Sequence, residues 1–230
     1  MKWPDEARER TIDALIPLSD SARALPMAAY MKGVAPFLGI GAAPRRAALR
    51  TAWRDLAAPS SDELGVTAEL LMDLEHREYH YAAYDLIDRF RGVCDEYFLD
   101  RYVTGLLTTK PWWDTVDGLV SAAVSPLCRE FDAQWLVEEW SESGDRWLIR
   151  AAITHQRGWK SQTNFPFLFK LCDRHWNDPE FFVAKAIGWA LRDAAKIEPA
   201  CVNEFLASRR QINRVAEREI RRGLGLARTR

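Results

Sequence analysis

The chain has 230 residues, of which 48% are hydrophobic and 28% charged, with a formal net charge of −1 at pH 7. This is the composition of an ordinary soluble globular protein long enough to bury a sizeable core, and its near-neutral charge argues against a generic nucleic-acid binder held by bulk charge alone. No window holds the roughly 18 uninterrupted apolar residues of a membrane span.

Met1-Lys2-Trp3-Pro4-Asp5-Glu6 leads into charge rather than an apolar signal run. The four cysteines, Cys94, Cys128, Cys172 and Cys201, lie far apart and form no C-x-x-C pair. The expectation is a cytoplasmic protein with reduced thiols and no structural zinc site.

Prolines and glycines punctuate a sequence whose apolar spacing is helical throughout. The pattern predicts helices over 5–16, 21–32, 44–57, 62–75, 77–91, 94–108, 111–124, 132–142, 146–158, 165–175, 180–195, 198–207 and 208–221. Nothing alternates with period two for long, and no Asn-Gly or Asp-Gly turn separates β-branched runs. Short helices joined by brief connections predict an all-α fold, an α-solenoid of antiparallel helix pairs. No fixed-period signature of TPR or ankyrin type is present, which leaves loose, HEAT-like pairs. A single domain is expected over 1–222, followed by a basic tail at 223–230.

Residues 29–40 interrupt the helical pattern with Gly33, Pro36 and Gly39. The pattern restarts at Pro44-Arg45-Arg46, where two cations oppose the helix dipole. Phosphate contact or plain solvation would account for them. Leu70, Leu71, Leu74, Tyr81, Tyr84, Ile87 and Phe90 read as scaffold. His76 and His80 are four apart but lack the carboxylates of a metal site, so they too read as structural.

The stretch Thr108–Leu119 holds two tryptophans and two carboxylates. Pro111 suits a first helical position. Trp112, Val116, Leu119, Val120 and Ala123 fall at i, i+4, i+7, i+8 and i+11, a stripe for burial. Asp114 suits the first turn as an acid. Trp113 and Asp117 are four apart on a second face, and an aromatic wall beside a carboxylate off the core stripe is a candidate site.

In 146–158, Leu148, Ala151, Ala152 and His155 form a core stripe, while Arg146, Arg150 and Arg157 share another side with no acid among them. Such a row is repulsive without a partner. Phosphates, which guanidinium forks bind in two-point fashion, or acids from neighbouring helices would supply one. In 180–195, Val183, Ala186, Ile187, Ala190, Leu191 and Ala194 form an unbroken stripe. Trp189 lies off it, flanked by Lys185 and Arg192. Stacking and phosphate contact call for that interleaving; a neighbouring helix covering Trp189 is the structural alternative. Residues 1–100 carry a balance of −5 and residues 101–230 one of +4, with eight arginines against two glutamates from Ser208 to Arg230. That asymmetry fits either a phosphate-binding surface or a solvated last helix.

The chain has no H-x-E…P-C-x-x-C, H-E-x-x-H, G-x-x-x-x-G-K-[ST] or G-x-S-x-G signature. A carboxylate, two off-core tryptophans and a basic face remain. That set suits stabilising positive charge that develops on a sugar during glycosidic cleavage.

Across roughly residues 22–207 the sequence resembles the bacterial AlkD-like alkylpurine DNA glycosylases, which are built from HEAT-like repeats. The resemblance is carried by Tyr30-Met31-Lys32, Phe37-Leu38-Gly39-Ile40, Arg77-Glu78-Tyr79 and Lys110-Pro111-Trp112-Trp113-Asp114-Thr115-Val116-Asp117. It continues in Trp147-Leu148-Ile149-Arg150 and in Lys185-Ala186-Ile187-Gly188-Trp189-Ala190-Leu191-Arg192.

It implies a concave DNA-binding face, Asp117 as catalytic carboxylate, Trp113 and Trp189 against the lesion's deoxyribose, and Arg150 on the backbone, with Tyr30 near the cleft. Lys185, Arg192, Arg146 and Arg157 are further DNA-binding candidates. It also implies a monomer that acts on double-stranded DNA bearing cationic N3- or N7-alkylated purines, leaves an abasic site, and needs no metal or other cofactor. Some relatives bind damaged or branched DNA without cleaving it, and that is the alternative function. The chain departs from the family at Pro111 and at Gly158, where a lysine-like residue is expected.

Overall fold

The computed structural model describes residues 2–209 and 211–225, and among these it has thirteen helices and no strand. They are α1 (Trp3–Leu15), α2 (Ser21–Tyr30), α3 (Ala42–Ala52), α4 (Ser61–Asp73), α5 (Arg77–Phe90), α6 (96–108) and α7 (113–130). The rest are α8 (Gln134–Glu142), α9 (Arg146–Thr154), α10 (Phe165–Arg174), α11 (Phe181–Ala195), α12 (Pro199–Ala207) and α13 (Arg214–Gly223). The all-α expectation holds. Of the expected tail, residues 226–230 lie outside the described residues.

Local chemistry sets many of the boundaries. Ser60 and Glu63 form a reciprocal capping box at the start of α4. Asp20, Asp145 and Asn213 cap α2, α9 and α13 through their side-chain oxygens. α7 contains a π-helical turn at Val120–Val124. Pro126 follows it and has no N–H for the carbonyl four residues back, so the backbone changes register there.

Several ends differ from expectation. α7 begins at Trp113, with Trp112 as its N-cap and Lys110 at φ +44°, so Pro111 stands before the helix rather than in its first position. α9 stops at Thr154, not 158, and the last helix starts at Arg214, not 208.

The chain divides into two compact units, Met1–Ala123 and Val124–Arg230, at the π-turn of α7. In the first, α1 packs on α3 and α4, α4 on α5, and α5 on the start of α7. In the second, α8 packs on α9, and α9, α11 and α13 pack in succession, each on the next but one. That is the contact pattern of stacked helical repeats.

The break between α2 and α3 is a strap fixed by one carboxylate. Buried Glu78 accepts hydrogen bonds from the amides of Leu38 (2.8 Å), Gly39 (2.9 Å) and Ile40 (3.0 Å). Gly39 has φ +90°, and a Cβ there would lie 2.1 Å from the Asp20 carbonyl oxygen, so no other residue fits.

Neither phosphate nor solvent is the partner of Arg45. It is buried, forms an ion pair with Asp85 (3.0 Å) and lies over the Tyr81 ring at 4.7 Å. Arg46 reaches the same carboxylate at 3.4 Å. Burial of His80 holds its imidazole down at about 4, well below the usual value. Arg77 can only donate to Nδ1, so Nε2 carries the proton and donates to the Leu74 carbonyl at 2.8 Å. The four cysteines are free thiols.

Candidate active site

The first unit presents Trp113, Asp117 and Tyr30. The orientation of α7 there follows from its grip on α5. Fully buried Arg77 makes a two-point ion pair with Asp114, Nη2 to Oδ1 at 2.6 Å and Nε to Oδ2 at 3.1 Å. Its remaining donors reach Thr115 Oγ1 (3.0 Å) and the Lys110 carbonyl (2.8 Å). The Tyr81 hydroxyl donates to Asp114 Oδ2. One turn on, Gly118 faces Tyr84 so closely that a Cβ would lie 2.4 Å from the ring. With 114 and 118 against α5, and 115, 116 and 119 buried, positions 113, 117 and 121 form the outward face. Trp113 and Asp117 are half-buried and Ser121 is exposed. This is the separation the spacing predicts, with its cause now visible.

Trp113 does not stand alone. It packs with Trp112 on the apolar cluster of Met31, Phe37 and Tyr81. Tyr30, 72% exposed, meets it edge-on with ring centroids 6.5 Å apart. The expected split of the two tryptophans is therefore incomplete. Trp112 is half-buried rather than fully in the core, because it caps the helix instead of standing in its first turn.

The second unit presents a basic cluster around one indole. Trp189 is half-buried, and four cations lie within 6 Å of its ring centroid: Arg150 (4.9 Å), Lys185 (5.7 Å), Arg192 (5.7 Å) and Arg157 (5.8 Å). Arg150 is only 1% exposed and donates to the Phe182 carbonyl at 2.9 Å. Arg157 comes from the turn after α9, not from the helix, and its carbonyl accepts from Ser125 Oγ at 2.6 Å. Arg146 stands apart, over the Trp147 ring and 3.4 Å from Glu180. The three-arginine row of 146–158 is thus not one continuous face. An acid does sit beside it, supplied by the N-cap of α11.

Glu219 of α13 organises this cluster. It is 1% exposed and bridges Lys185 Nζ (2.6 Å), Arg192 Nη1 (2.8 Å) and Arg222 Nη1 (3.0 Å). Burial alone would raise its carboxyl; the Lys185 hydrogen bond and the three cations reverse this and hold it below the usual carboxylate range. Asp193 also reaches Arg192, at 3.6 Å.

Arg77, Glu78, Tyr81 and Glu219 were not among the sequence candidates. Residues that orient others give no spacing signal of their own; only the run Arg77-Glu78-Tyr79 hinted at a role. Among the described residues, no group of three or more His, Cys, Asp or Glu gathers in a way that could hold a metal ion. No helix among them is long and apolar enough to cross a membrane.

No curated protein matches the chain. It is similar to a predicted DNA alkylation repair enzyme from Enterococcus faecalis, with 27% identity and a TM-score of 0.82 over 91% of this chain and 98% of that one. It also shares its fold with AlkD2 from Streptococcus mutans, with 19% identity and a TM-score of 0.59 over 76% of this chain and 85% of that one. The DNA alkylation repair enzyme family matches residues 11–222. By that match, which spans nearly the whole chain, the protein belongs to the DNA alkylation repair enzyme family.

Proposed function

We propose that this protein is a monofunctional DNA glycosylase that hydrolyses the N-glycosidic bond of cationic N3- and N7-alkylated purines in double-stranded DNA. The observation that carries the reading is the outward face of α7, where Asp117 stands one turn from Trp113 with Tyr30 beside the indole.

An alkylated purine already bears positive charge and departs as a neutral base when the C1′–N bond breaks, taking the bonding electrons with it. The sugar is left oxocarbenium-like. A carboxylate held in a half-buried position stabilises that cation more than it would in open water. Asp117 also orients the water whose oxygen forms the new C1′–O bond and whose proton is released, leaving an abasic site. The cationic leaving group removes the need for a general acid.

Trp113 and Trp189 supply aromatic surface against the deoxyribose. Arg150, Arg157 and the residual charge of the Lys185–Arg192 pair hold the DNA backbone, with Arg146 and Tyr30 at the margins. The protein acts as a cytoplasmic monomer without metal or cofactor. Release of 7-methylguanine from methylated duplex DNA, unaffected by EDTA, tests the reading. Binding without base release would favour a non-catalytic DNA-binding role instead.

A further inference from the structure

The cations assigned to the DNA backbone all stand in the second unit, whereas Trp113 and Asp117 stand in the first. There, Tyr84 of α5 lies against α7 at the residue that follows Asp117. A Cβ at Gly118 would come within 2.4 Å of Tyr84 Cε1 and 2.9 Å of Cζ, the carbon that carries the hydroxyl. The missing side chain at 118 is what admits the phenol. The ring also packs against Tyr81, with centroids 5.8 Å apart, and on the cluster of Met31 and Phe37.

Packing explains the ring and leaves the hydroxyl over. Tyr81 and Tyr102 donate their hydroxyls to Asp114 and Asp62, as half-buried and buried phenols normally do. Tyr84 Oη has no hydrogen-bond partner among the described residues, yet it is not sealed from solvent. Burial pushes its pKa up to about 12 against the opposing pull of Arg45 and Arg46. The group is therefore a neutral donor that does not repel an anion.

Arg46 supplies charge beside it. Its side chain is 55% exposed and meets Asp85 Oδ1 through Nε at 3.4 Å. Arg45 holds the other oxygen of that carboxylate, with Nη2 at 3.0 Å and Nε at 3.3 Å. Neither arginine has a second acidic partner among the described residues, so two guanidiniums share one carboxylate and one positive charge is left uncompensated.

Hydroxyls and guanidiniums are the usual donors to DNA phosphate oxygens. We propose that Tyr84 Oη and Arg46 bind one phosphate of the DNA strand that Asp117 faces, which makes Tyr84 a substrate-binding residue of the first unit. This rests on the assignment of the α7 face to DNA, and not on base release.

The test uses the full chain and a duplex with a single tetrahydrofuran abasic site, with Tyr84→Phe, Arg46→Gln and the double variant. Tyr84→Phe keeps the ring on Gly118 and removes only the hydroxyl, so its urea midpoint should equal that of the wild type. Its duplex affinity should fall about tenfold with an unchanged salt dependence. Arg46→Gln should also weaken binding, and lower the slope of log K against log salt by about one. The double variant should lose less than the product of the two factors, because both groups hold one phosphate. A neutral methylphosphonate at one phosphate beside the abasic site should weaken binding by the wild type and leave the double variant unaffected. Wild-type affinity in Tyr84→Phe, a lowered urea midpoint in that variant, losses that simply multiply, or no phosphate whose replacement separates the two proteins overturns the proposal. Failure of the glycosylase reading looks different: duplex binding keeps its dependence on Tyr84, and methylated duplex releases no 7-methylguanine.

Discussion

Arg77 and Asp114 meet in a two-point ion pair at 2.6 and 3.1 Å, with the guanidinium fully buried and the carboxylate 7% exposed. The pair ties α5 to the first turn of α7, and its geometry decides which way Trp113 and Asp117 face. Breaking a buried pair by deleting one partner strands the other charge, at about 3–5 kcal/mol. Asp114→Ala is therefore expected to lose that much in urea unfolding. Tyr81→Phe, which removes one hydrogen bond to the same carboxylate, should lose about 1–2 kcal/mol.

The strap between α2 and α3 depends on one carboxylate and one glycine. Gly39→Ala pushes a methyl into the Asp20 carbonyl at a φ that alanine resists. Its thermal midpoint is expected to fall by several degrees, and Glu78→Gln, which keeps the shape but not the charge behind three amide hydrogen bonds, should lose about 1–3 kcal/mol. A glutamine variant as stable as the wild type would remove Glu78 from this account.

Glu219 restrains the charge around Trp189. Glu219→Gln should free Lys185 and Arg192 for phosphate while loosening α13. Affinity for duplex DNA is expected to rise at low salt, with the slope of log K against log salt steeper by about one to two. Stability should fall by about 1–3 kcal/mol, less than for a fully buried pair because the cations are partly exposed. An unchanged salt slope would show that these two cations do not reach DNA.

Stability should begin to fall with acid before the ordinary carboxylates titrate. His80 and His155 are both held down to about 4 by burial. Between the unfolded value near 6.5 and about 4, the unfolded chain binds protons that the fold refuses, so stability is complete above about pH 6.5 and declines as pH drops toward 4. Glu219, also depressed, acts in the same direction at lower pH. Chemical unfolding between pH 7.5 and 4.5 should show this decline, and a markedly shallower profile in His80→Gln/His155→Gln, with burial of His175 supplying the remainder, would assign it.

Helix count, fold class and the outward face of α7 were legible because they rest on 3.6-residue spacing, which burial imposes on every helix. The pairing of Trp113 with Asp117 is of that kind. What sequence did not disclose depends on contacts between elements. Spacing cannot say that Arg45 belongs to Asp85, that Asp114 binds Arg77 rather than merely favouring a helix start, or that Glu219 claims Lys185 and Arg192. The three-arginine row divides in a way spacing does not show: Arg146 turns to Glu180, while Arg150 and Arg157, the latter from the turn after α9, both reach the Trp189 ring. Trp112 was assigned to the core on a helix phase that begins two residues early.

The measurement closest to the central claim is single-turnover release of 7-methylguanine from methylated duplex DNA by the wild type and by Asp117→Asn. The wild type should release the base, and the variant should do so at least about 100-fold more slowly, the scale expected when a transition-state charge contact is lost. It should still bind the duplex with an unchanged salt dependence. Equal rates for the two proteins would contradict the role of Asp117, and no release by the wild type would contradict the glycosylase assignment itself.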